Sequence, residues 1–176
     1  MTQRWRAQVV TVSDRSSRGE RADTGGPLLA GLLRELGLDV GAVVLVPDDV
    51  TAVQAALREA AQAAYDLVVT TGGTGLSPRD ITPEATAPLL DRQVPGLAEA
   101  LRARGAPSVP TAVLSRGLVG TIGTMLVVNL PGSTGGVRDG VAVLAPVVEH
   151  ALAQLHGGGD HGSGGHGSGG PVASAG

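Results

Sequence analysis

The chain is 176 residues long, 42% hydrophobic and carries a formal net charge of −3. That length suits one domain with a full core, the apolar fraction excludes a disordered chain, and the charge gives no electrostatic basis for nucleic-acid binding. With one Trp, one Tyr, no Phe and no Cys, the core must be aliphatic, and disulfides, thiolate metal sites and cysteine nucleophiles are excluded. Met1-Thr2-Gln3-Arg4-Trp5-Arg6 leads into a strand without a secretory h-region, and no apolar run reaches the roughly 18 residues of a membrane span. A cytoplasmic protein without membrane contact is expected.

Ala7 to Val12 is apolar and β-branched and predicts a first strand. It stops at Ser13-Asp14-Arg15-Ser16, polar residues of the kind that α/β proteins place at a ligand edge; a turn plus helix cap is the alternative reading. Asp23 or Thr24 opens a helix through Leu28, Leu29, Leu32, Leu33 and Leu36, ended by Gly37. Leu38 to Val46 predicts a second strand, followed by Pro47-Asp48-Asp49 and a helix from Thr51 to Ala64. The two adjacent acids read either as first-turn residues of that helix or as a divalent-cation site. Leu67-Val68-Val69 predicts the third strand.

The stretch that follows, Thr70-Thr71-Gly72-Gly73-Thr74-Gly75-Leu76-Ser77-Pro78-Arg79-Asp80-Ile81-Thr82-Pro83-Glu84, has the makings of an anion site. Glycine lets the backbone approach a ligand, and free N–H groups and threonine hydroxyls meet negative oxygens. Thr82 as N-cap, Pro83 and Glu84 then predict a helix start that favours anions further. A plain turn between strand and helix is the simpler alternative. Beyond it, residues 85–104 are mainly helical with a break at Val94-Pro95-Gly96. Thr111 to Leu114 fits a short strand or a helical turn, and Ser115 to Thr124 is loop-like. Met125 to Leu130 predicts a buried strand that ends in Pro131-Gly132-Ser133-Thr134-Gly135-Gly136, and a helix from Val137 to Leu155 follows, with a kink expected at Pro146.

This alternation predicts an α/β three-layer sandwich: a mostly parallel, mixed central sheet with helices on both faces. The loops at Ser13/Asp14, Thr70–Asp80 and Pro131–Gly136 would then share one sheet edge and converge on one pocket. The ordered domain is expected over residues 1–156. Residues 157–176, rich in Gly, Ser and His, read as a disordered tail, too flexible to preorganise metal ligands.

Taken together, Ser13-Asp14-Arg15 with Asp23 and Gly25, Pro47-Asp48-Asp49, Thr70–Gly75 with Arg79-Asp80 and Thr82–Thr86, and Asn129-Leu130-Pro131-Gly132-Ser133 resemble the molybdenum-cofactor biosynthesis family of molybdopterin adenylyltransferases and close paralogues. The resemblance runs from about Arg6 to Leu155. It implies a molybdopterin-binding-like fold, usually trimeric, and adenylylation of molybdopterin by Mg-ATP with release of pyrophosphate; a non-catalytic molybdopterin carrier or scaffold is the alternative. It implies Asp48 and Asp80 as the catalytic and Mg²⁺-holding acids. Ser13, Asp14, Asp23, Thr71, Gly72, Gly73, Thr74, Gly75, Arg79, Ser115, Asn129, Pro131, Gly132 and Ser133 are implied as substrate- and nucleotide-binding residues. One departure stands out. Some relatives carry a basic residue where this chain has Thr121-Ile122-Gly123-Thr124, which leaves Arg79 and Arg116 as the expected phosphate-side cations.

Overall fold

The computed structural model describes residues 4–158. Its spine is β1 (Arg6–Val12), β4 (Leu67–Thr71) and β7 (Met125–Leu130), three adjacent parallel strands. Val9, Val69 and Val128 stand in one register across them. β2 (Asp39–Val40) and β3 (Val44–Val46) both pair with β1 at one side, parallel to it. β6 (Val119–Ile122) and β5 (Arg92–Gln93) extend the other side antiparallel, completing a mixed seven-stranded sheet.

Alternation along the strands sends side chains to two separate cores. On one face Val9, Leu67, Val69, Leu126 and Val128 meet α2 (Gly25–Glu35), α5 (Pro95–Gly105), α6 (Thr134–Leu144) and α7 (Val148–Leu155). On the other, Val10, Val12, Val68 and Val127 meet α3 (Val50–Gln62) and α4 (Thr82–Thr86). The three-layer α/β reading therefore holds. Fully buried Leu29, Leu33, Leu57 and Leu144 fill the space that aromatic rings would otherwise occupy. No described helix is long and apolar enough to cross a membrane.

Several elements differ from the expectation for local reasons. The strand expected over Leu38–Val46 is split, because the Gln8 side chain donates to the Ala42 carbonyl where a ladder bond would continue. Thr70 and Thr71 belong to β4, so the loop begins at Gly72. The undecided 111–114 segment is a 3₁₀ turn over Pro110–Leu114. The expected loop 115–124 contains β6, whose alternation is hidden by Gly120 and Thr121. The long C-terminal helix is two helices, parted at Ala145-Pro146-Val147. Of the expected tail, residues 159–176 lie outside the described residues.

Candidate functional site

β1, β4 and β7 end level with one another: Thr11 is in register with Thr71, and Thr71 with Leu130. Three loops leave that edge together, and short bonds knit them. Gly72 N–H donates to the Leu130 carbonyl at 3.0 Å, and the Thr71 hydroxyl to the Pro131 carbonyl at 2.9 Å. Gly72 has φ +105°, and a Cβ there would sit 2.3 Å from the Val12 carbonyl oxygen. Gly73 has φ +66°, and its Cβ would sit 2.4 Å from the Thr82 hydroxyl. Only glycine fits both positions. Thr82 is not the N-cap of α4; Ile81 is, and the Thr82 hydroxyl donates instead to the Gly72 carbonyl at 2.8 Å.

The acids sort by their partners. Asp49 is the N-cap of α3, accepting from Ala52 N–H at 2.8 Å, so its carboxylate is spent on the helix. Asp48 instead exchanges bonds with Asp14: Asp14 N–H donates to Asp48 Oδ2 and Asp48 N–H to Asp14 Oδ1, each at 2.9 Å. Asp14 is buried, and its Oδ2 pairs with the Arg79 guanidinium. Burial, and then the charge of Asp80, push the Asp48 carboxyl above its ordinary pKa. Asp80 Oδ2 accepts from Ser77 N–H at 2.9 Å. Asp23, one residue before the Thr24 N-cap of α2, accepts from Gly26 N–H through Oδ1 at 2.9 Å and from the Thr11 hydroxyl through Oδ2 at 2.8 Å.

Two expected ligand residues carry framework bonds. Asn129 is buried: Nδ2 donates to the Thr70 and Thr86 hydroxyls at 3.0 and 3.2 Å, and Oδ1 accepts from Leu118 N–H at 3.1 Å. Arg116, expected as a phosphate-side cation, donates to the carbonyls of Gly75 and Asp80, each at 2.8 Å, and pairs with Glu84. Its guanidinium is spent on the loop. Ser115 lines the cleft, and its Oγ accepts from Gly117 N–H at 3.3 Å. Thr121–Thr124 lies away from this edge. Ile122 pairs with Met125, the far end of β7 from the site, about 17 Å away at 3.3–3.4 Å per residue.

Two clefts open at this edge. One, of about 390 Å³, is lined by Ser13, Asp23, Thr24, Thr71 and Arg21. The other, of about 840 Å³, is lined by Gly73, Thr74, Gly75, Asp80, Ser115 and Pro131, and also by Ser108, Thr111 and Arg138. Gly72, Gly132 and Ser133 border both. Ser133 caps α6, accepting from Gly136 N–H at 3.0 Å, so a helix N-terminus faces the junction. Sequence reading missed Ser108, Thr111 and Arg138. Ser108 and Thr111 lie in and beside a Pro-rich loop without periodicity, and Arg138 sits among helix residues that read as solvent-facing.

Among the described residues, no cluster of three or more metal-ligating side chains exists. Asp48 and Asp80 are two hard carboxylates close enough to raise one pKa, and each keeps one oxygen without a hydrogen bond among the described residues. That donor set fits Mg²⁺, which takes one or two carboxylates and completes its shell with water and phosphate oxygens.

Fold and site define an α/β protein with paired clefts at the carboxyl edge of its sheet. Residues 8–150 match the family model described as "Probable molybdopterin binding domain", and the chain belongs to that family. It is 42% identical over 149 residues to a Pyrococcus furiosus protein named molybdopterin adenylyltransferase, covering 82% of this chain and 87% of that one. It is 40% identical over 151 residues to a molybdenum cofactor biosynthesis bifunctional protein of Synechococcus elongatus, covering 86% of this chain but 47% of that relative, so the chain spans about half its length. A crystal structure of a molybdopterin biosynthesis protein from Mycobacterium abscessus superposes with a TM-score of 0.83 at 49% identity, over 87% of this chain and 97% of that one.

Proposed function

We propose that this chain acts in molybdenum-cofactor biosynthesis as a molybdopterin adenylyltransferase. One observation carries the reading: two clefts rich in hydroxyl and backbone donors share a wall at Gly72, Gly132 and Ser133. Joining two phosphorylated molecules requires that arrangement, because a phosphate oxygen of one must reach a phosphorus of the other. In the proposed reaction an oxygen of molybdopterin's terminal phosphate bonds to the α-phosphorus of ATP. The bond from that phosphorus to the oxygen bridging to the β-phosphate breaks, and pyrophosphate leaves with the electron pair.

Reactants and leaving group are all anions, so the chain's work is alignment and neutralisation rather than covalent chemistry. The Gly73–Gly75 backbone and the N-terminus of α6 offer N–H donors at the shared wall. Arg79 brings a cation to the same edge through its pairing with Asp14. Asp48 and Asp80 would hold Mg²⁺, whose charge offsets that of the phosphates. Asp14 orients Asp48 by the reciprocal backbone bonds, and Asp23 fixes the floor of the smaller cleft. ATP with Mg²⁺ should therefore stabilise the protein. At a hundredfold excess over Kd the gain is about 2.7 kcal/mol, several degrees in Tm, and it should be absent in Asp80→Asn. An unmoved wild-type Tm alongside tight molybdopterin binding would make the chain a carrier instead.

A further inference from the structure

We propose that Arg116 is a positioning residue that sets Asp80 against Asp48, acting through the 72–80 loop without touching substrate. The inference rests on the adenylyl-transfer reading for its consequence, and on geometry for its substance. Arg116 lies in the approach to β6, 36 residues from Asp80 in sequence. It grips the loop at three points and α4 at a fourth. Its backbone N–H donates to the Thr74 carbonyl at 2.8 Å; its Nε donates to the Gly75 carbonyl and its Nη2 to the Asp80 carbonyl, each at 2.8 Å; its Nη1 pairs with Glu84 on α4.

Gly72 and Gly73 are tied to β7 and α4, but beyond them the loop has only the Arg79–Asp14 pair besides this clamp to hold it. Leu76 to Arg79 are exposed, and the remaining bonds of Asp80 run only to Ser77, three residues away. The base of the clamp is rigid. Asn129 ties Leu118 N–H, just beyond Arg116, to β7 and to the Thr86 hydroxyl on α4. A planar fork is needed, because its acceptors diverge and a single ammonium cannot meet them all.

The test compares wild type with Arg116→Gln, Arg116→Lys and Glu84→Gln. The readouts are Mn²⁺ affinity in the presence of ATP, by electron paramagnetic resonance, and amide hydrogen exchange over residues 74–80. Arg116→Gln should weaken Mn²⁺ binding by about tenfold or more, as loss of supporting contacts does at metal sites, and should speed loop exchange. Arg116→Lys should restore part of both. Glu84→Gln removes only the exposed end of the clamp; it should give a smaller loss of the same kind and keeps the test usable if Arg116→Gln fails to fold. A folded Arg116→Gln protein with wild-type Mn²⁺ affinity overturns the proposal. If wild type itself binds no Mn²⁺ with ATP, the functional reading fails, and the exchange data alone decide: unchanged exchange in the variants overturns the clamp, and faster exchange sustains it.

Discussion

Asp48 carries a cost that the proposed function would explain. Its pKa is raised by burial and by Asp80, so the stability belonging to its protonated form is fully present below the ordinary carboxylate pKa. That stability is lost as pH rises through the raised value. Asp48→Asn keeps an oxygen to accept from Asp14 N–H and removes the charge. The ligand-free variant should melt about 1–3 °C higher than wild type near pH 7, with the difference vanishing below about pH 4; equal melting across that range would remove the strain. Asp80→Asn should lower pyrophosphate release by about 100-fold or more, as loss of a group stabilising transition-state charge does, with Tm nearly unchanged; wild-type turnover would remove Asp80 from the mechanism. At this scale the sequence was informative about residue types and silent about partners. Asp48 and Asp49 are adjacent and chemically identical, and only the direction of each side chain assigns one to a helix cap and the other to the site. Asn129 and Arg116 make the same point, since nothing in the sequence marks the framework bonds that each makes in the fold.

The loop between β4 and α4 shows how much an element depends on what it leaves out. A Cβ at Gly75 would stand 2.7 Å from Asp80 Oδ2, so Gly75→Ala must push the carboxylate aside. Turnover should fall several-fold while Tm drops little, because the atom displaced is the end of a side chain; a large Tm loss with unchanged turnover would contradict this. Asn129→Ala should do the opposite. It leaves Leu118 N–H and the Thr70 and Thr86 hydroxyls without their partner in a buried place. The expected cost is about 2 kcal/mol, or about 4–8 °C in Tm, measured by thermal unfolding. The central strands and α2 were legible because apolar periodicity is strong there. β6 was not, since Gly120 and Thr121 interrupt it, and β5 is only Arg92–Gln93, too short for any period. The split of the C-terminal helix was legible at Pro146, though as a kink rather than a break.

Across the whole molecule, the parallel spine brings three sequence-distant loops to one edge. That convergence could be read from element order alone, because parallel strands joined by helices must end on the same side. The two clefts and their shared wall could not, because they depend on side-chain packing between loops. All residues lining them lie between Thr11 and Asp139. Removing residues 157–176 should therefore leave activity unchanged, and a large loss in a turnover assay would assign the C-terminal segment a role. We propose that the chain assembles as a homotrimer; light scattering should give three times the chain mass, and a monomer would contradict it. The most direct test of the central claim is pyrophosphate release from ATP and Mg²⁺, measured with and without molybdopterin. Adenylyl transfer predicts release that requires molybdopterin and disappears in Asp80→Asn. No release from wild type that binds molybdopterin tightly would contradict it.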